Sequence, residues 1–112
     1  MPREVRGAYG EVQQGVAHLE RSIAQLRVGL RRAEREIEAD ARKRIRALRK
    51  EAQVQLRGLQ SKQREAARTL KKLAAAAGES WRDIKQSADS ILGDARTAAA
   101  AIGQRFRSAL RS

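Results

Sequence analysis

Six of the nine side chains from Arg42 to Lys50 are basic: Arg42, Lys43, Arg44, Arg46, Arg49 and Lys50. Arg57, Lys62, Arg64, Arg68, Lys71 and Lys72 follow, so residues 42–72 carry twelve basic side chains against Glu51 and Glu65. Residues 1–41 hold seven basic and seven acidic side chains, and residues 73–112 hold six and four. Nearly all of the +12 net charge therefore sits in one central block. The chemistry this block can do is electrostatic. Cations along a rod neutralise the closely spaced phosphates of a nucleic acid and release its counterions. No base-reading motif accompanies them, so contact would be with the backbone and blind to sequence. The basic residues alternate with alanine and leucine rather than with aromatics, which speaks against stacking on single strands.

Other chemistries find little support. There is no cysteine, and His18 is the lone histidine. One histidine without thiolates does not assemble a usual zinc site, and His18 reads as a neighbour of the apolar stripe beside Leu19. Glu34, Glu36, Glu38 and Asp40 are the right chemistry for a hard cation. They point to different helix faces among arginines, however, and read as salt-bridged surface. Ser80 lacks a companion base and reads as a helix cap. Gly58 and Gly93 show no phosphate-loop spacing and read as points of close helix approach. Neither a catalytic group, a metal nor a cofactor is expected, because general acid–base or nucleophilic chemistry needs a sheltered pocket that a thin helical rod scarcely offers.

What positions the cations is a helix. From Tyr9 the apolar residues Tyr9, Val12, Val16, Leu19, Ile23, Leu26, Leu30, Ala33 and Ile37 follow steps of three and four, the seam of a coiled coil. The stripe continues through Ala41, Ile45, Leu48, Ala52, Leu56 and Leu59 in two eleven-residue units, a spacing that locally unwinds a left-handed supercoil. Ile45 and Leu48 carry it through the basic run, so that run is helical surface and not a tail. The i,i+4 pairs Arg32–Glu36, Glu38–Arg42 and Asp40–Arg44 support the approach to it, each by roughly 0.2–0.5 kcal/mol.

One break is plain, in "AAAAGESWRDI". Gly78 suits the left-handed conformation that ends helices, and Ser80 with Asp83 suits a capping box. A second helix then reads Trp81, Ile84, Ala88, Ile91, Ala95, Ala98, Ile102, Phe106 and Ala109. The expected fold is all-α: a long antiparallel helical hairpin with a helix over about 5–77, a turn at 78–80 and a helix over about 81–110, forming one elongated coiled-coil unit. Trp81 would anchor the turn against Leu73 and Ala77. The second helix reaches only as far back as about Leu48. The stripe Tyr9, Val12, Val16, Leu19, Ile23, Leu26, Leu30 and Ile37 is then left for a partner copy, which predicts a homo-oligomer, a dimer or tetramer. A bend near Gly29, giving a three-helix bundle, is the alternative. It ranks second because "RRAEREIEADARKR" contains no turn residue.

The chain resembles a group of small bacterial coiled-coil proteins described as stress-response-like or of unknown function. The resemblance covers about Val12 to Phe106. It is carried by "LRRAEREIEADARKRIRALRKEAQVQLRGL", by the turn "AGESWRDIKQSADSIL" and by the closing "GQRFRSAL", with Trp81, Asp83, Ile84 and Lys85 after Gly78 its most specific part. It implies a helical hairpin and no known catalytic site. The basic charge departs from the more balanced or acidic relatives.

Three functional readings follow. The first is a non-catalytic structural or scaffolding coiled coil, related to stress by the resemblance, whose basic block is solvated surface. The second is sequence-nonspecific binding of DNA or RNA backbone. The third, ranked last, is an amphipathic helix protein on an anionic membrane or storage-granule surface. The opening "MPREVRGAYG" lacks a secretory core and no window is apolar enough to span a bilayer, so a cytoplasmic protein is the default expectation.

Overall fold

The computed structural model describes residues 1–37 and 41–111. The described residues form three α-helices of nearly equal length: α1, Arg3–Glu36; α2, Arg42–Ala74; and α3, Trp81–Arg111. Each packs against the other two, in a rod with extents of 61 × 17 × 16 Å. The all-α expectation holds. The single helix over about 5–77 does not, because the chain turns back between Ile37 and Arg42.

The chain runs up, down and up. One core cluster joins Leu19, Ile23, Leu30 and Ala33 of α1 to Leu48, Ala52, Leu56 and Leu59 of α2 and to Ala95, Ile102 and Phe106 of α3. A second joins Val5, Ala8, Val12 and Val16 to Ala66, Leu73 and Ala88. Thus α1 and α3 are parallel, and α2 is antiparallel to both. The stripe expected to await another copy is covered within the chain: Val12, Val16, Leu19, Ile23 and Leu30 are buried, and Tyr9, Leu26 and Ile37 are partly buried against the same clusters. The structural motive for self-association is removed.

The break comes where local signals for one are weak, Asp40 being the one turn-favouring residue type in the connecting sequence. Ile37 leaves α1 in extended conformation (φ −76°, ψ 134°), its N–H still bonded to the Ala33 carbonyl. Ala41 precedes α2 without a side-chain cap, and the first turn of α2 contains no acid. Cations at a helix N-terminus oppose the macrodipole. Magnitudes show why the chain turns regardless. Interrupting a helix forfeits about four backbone hydrogen bonds, each worth a net of about 1 kcal/mol. Turning back buries Val5, Val12, Val16, Leu19, Ile23 and Leu30, at about 1.5–3 kcal/mol for each large side chain. Burial outweighs local preference. Arg49 also spans the turn, donating to Glu34 from Nε at 2.9 Å and from Nη2 at 3.3 Å.

The second connection lies where expected. Gly78 is left-handed, with φ 61°, although α2 already ends at Ala74. Ser80 does not cap α3 with its oxygen in the expected manner. Its hydroxyl donates to the Ala77 carbonyl at 2.8 Å and so closes the turn.

Candidate polyanion interface and interhelical groove

The helix α2 spans residues 42–74, so all twelve cations of the central block lie on this one element. Arg42, Lys43, Arg44, Arg46, Arg49, Lys50, Arg57, Arg64, Arg68, Lys71 and Lys72 are exposed, and Lys62 is half-buried. Within this set Lys43, Lys50, Arg57, Arg64 and Lys71 recur every seven residues. Seven residues fall about 20° short of two turns, so these five form a row with steps of about 10.5 Å that winds slowly around the helix, as the buried stripe does. Four of them stand two positions from a buried residue: Lys50 from Leu48, Arg57 from Leu59, Arg64 from Ala66 and Lys71 from Leu73. Two positions are about 200° of rotation, so the row lies on the side of α2 turned away from the bundle. Arg46, Arg68 and Lys72 flank it. Among the described residues no carboxylate forms an ion pair with any of the five cations in the row.

Other members of the block leave this face. Arg49 turns toward α1 and Glu34, whose hydrogen bond and charge raise its pKa above the ordinary arginine value. On the opposite edge Glu51 pairs with Arg105 of α3, which neutralises one of the two acids on α2. The outward face is thereby more uniformly cationic than the sequence of α2 suggests.

The remaining candidates lie on all three helices. His18 is exposed on α1. Glu34 pairs with Arg49, and Glu36 with Arg32 at 3.0 Å, while Glu38 and Asp40 lie outside the described residues together with their pairings to Arg42 and Arg44. No metal-holding cluster occurs among the described residues. Trp81 is half-buried against the cluster that contains Leu73, with the Arg82 guanidinium 5.6 Å from its ring centroid, whereas Ala77 is exposed. Lys85 on α3 holds Glu11 of α1 at 2.9 Å and Asp89 at 2.7 Å. The bonds to Asp89 and then Glu11 raise its pKa above the ordinary lysine value.

The glycine expectation is corrected. A Cβ at Gly58 or Gly93 would meet nothing within 4 Å, so neither permits a close approach. That role belongs to Gly15, where a Cβ would crowd Leu92; Gly29 and Gly103 lie against Phe106 and Leu26 at ordinary contact distance between α1 and α3. Above these contacts a groove of about 780 Å³ runs between the two helices. Sequence spacing missed it because nothing in one helix indicates which neighbour it faces.

These features define a small three-helix bundle with a cationic face on α2 and a groove between α1 and α3. Comparison with protein-family models, with curated proteins and with solved structures finds no match. No helix among the described residues is long and apolar enough to cross a membrane.

Proposed function

We propose that the protein is a non-enzymatic binder of nucleic-acid backbone that does not read sequence, with α2 as its contact helix. The observation that carries this reading is the row Lys43, Lys50, Arg57, Arg64 and Lys71, exposed and without a carboxylate partner among the described residues. The row extends about 42 Å along the helix axis. A duplex presents a phosphate charge about every 1.7 Å of its axis, so each cation in the row has several within reach. Like charges crowded on one helix are destabilising, which a solvated face of a purely structural rod has no need to accept. The self-closed core favours this reading over an intermolecular scaffold, since the apolar stripe is spent inside the chain.

The test is retardation of duplex DNAs of unrelated sequence over a salt series. Five contacts give a slope of log K against log salt of roughly −4.5, at about −0.9 per contact. Replacing Lys43, Lys50, Arg57, Arg64 and Lys71 by Gln keeps helix propensity nearly unchanged. It should abolish most of the slope for every sequence alike and leave the melting temperature equal or higher. A parent protein that fails to retard DNA even in dilute buffer would refute the proposal.

A further inference from the structure

The groove between α1 and α3 lies apart from the cationic face of α2 and has a different character. Its floor is apolar, formed by Leu19, Leu26, Leu92 and Phe106. From the Gly15–Leu92 contact to the Gly29–Phe106 contact that floor runs fourteen residues, about 21 Å. The groove is therefore long and narrow, and its volume of about 780 Å³ lies within the range of small-molecule sites.

Charge is distributed unevenly along it. Arg32 of α1 and Arg107 of α3 stand on opposite walls at the Phe106 end. Both have polar neighbours, Glu36 for Arg32 and Gln104 for Arg107, but Arg32 remains 72% exposed and its guanidinium has further donors. Arg96, four residues after Leu92, is a single cation toward the other end, where Glu11, the one acidic residue lining the groove, is bound by Lys85.

We propose that this groove binds a free single-chain anionic amphiphile, a long-chain carboxylate. Its tail lies along Leu26 and Leu92, and its head group lies between Arg32 and Arg107. An apolar floor under uncharged polar walls (Ser22 and Gln25 among them), with two facing guanidinium groups at one end and one cation toward the other, matches a ligand that is apolar along its length and anionic at one end. A second copy of the chain is a poorer occupant, because it carries a +12 charge toward a cationic rim.

The test titrates the intact chain with monomeric dodecanoate at about 0.15 M salt, where exposed charges are screened beyond about 8 Å. Expected are saturation at one ligand per chain and methyl shifts in two-dimensional NMR at Leu26 and Leu92 but not at Leu73. Dodecan-1-ol and dodecyltrimethylammonium should bind far more weakly. The pair Arg32→Gln and Arg107→Gln should weaken dodecanoate binding by roughly tenfold or more, the loss expected for a charge-assisted contact. Ser22→Trp should fill the trough and abolish binding. Ala100→Trp replaces it if circular dichroism shows that Ser22→Trp is unfolded. Lys50→Gln, Arg57→Gln and Arg64→Gln together should change nothing, which separates this site from the nucleic-acid face. Any of four results would overturn the proposal: no saturable uptake, equal affinity for the cationic amphiphile, undiminished binding by a folded Trp variant, or binding confined to phosphatidylglycerol vesicles.

Discussion

Phe106 of α3 lies over Gly29 of α1, with its Cδ2 atom 3.4 Å from where a Cβ on Gly29 would stand. Fourteen residues earlier on both helices Leu92 lies over Gly15, where a Cβ would stand 2.6 Å from Cδ1. Leu92 thus uses a gap that a Cβ on Gly15 would crowd, whereas Phe106 sits at ordinary van der Waals distance from the Cβ position of Gly29. The parallel pair α1–α3 is set in register by this repeat, in which a residue of α1 faces the one seventy-seven positions later.

Glycines of the two kinds should respond differently to substitution. Gly58→Ala meets open space on an exposed helix, so it should stabilise the protein by up to about 1 kcal/mol. Gly15→Ala offers the same helix gain but must push aside the end of the Leu92 side chain, and should come out near neutral. Gly15→Leu overfills the contact and should cost about 1–3 kcal/mol. Chemical denaturation of the three variants checks the order.

The stripe of α1 should behave as an internal core. The parent chain is expected to sediment as a 12.5 kDa monomer. The double substitution Ile23→Asp and Leu30→Asp should abolish cooperative melting, since both residues are buried between three helices of one chain. A parent that sediments as a dimer, and a double variant that remains a folded monomer, would restore the intermolecular seam.

Core position should decide the cost of truncation. Leu59 is 1% exposed at the centre of the bundle, so Leu59→Ala should cost about 2–5 kcal/mol. Trp81 is half-buried at the turn, and Trp81→Ala should cost less than Leu59→Ala yet more than a change at exposed His18, which should stay within about 0.5 kcal/mol. Thermal melts of the three variants check the ranking.

The link from Lys85 to Glu11 and Asp89 should produce a pH signature. The folded-state pKa of Lys85 lies above its unfolded value, because the charged form gains two carboxylate partners. Its stabilisation is therefore complete below the unfolded pKa near 10.4 and fades as the pH rises through the folded value. Lys85→Met should cost at most about 1 kcal/mol at pH 7 to 9. The gap between parent and variant should close above about pH 10.4, as urea titrations across that range would show.

Much of this protein was legible in one dimension. Helix content followed from the three-and-four spacing of Tyr9 to Ile37 and of Trp81 to Ala109, because side-chain period is a property of the helix itself. The turn at Gly78 was visible because only a residue without Cβ takes φ 61° at little cost. The concentration of cations in residues 42–72 was visible by counting, and the structure confines it to α2. Tertiary structure alone decided the rest. The spacing of an apolar stripe names the face to be buried but not what buries it, and an internal helix satisfies it as well as a second chain. The sequence between Ile37 and Arg42 has neither glycine nor proline, and cations follow at the start of α2, so Asp40 is the one local residue type that favours a break. The turn exists because the free energy of covering α1 with α2 and α3 is collected across the whole bundle, far from the residues that bend. The pairings of Gly15 with Leu92, Gly29 with Phe106 and Glu51 with Arg105, and the groove between α1 and α3, were settled by the same packing.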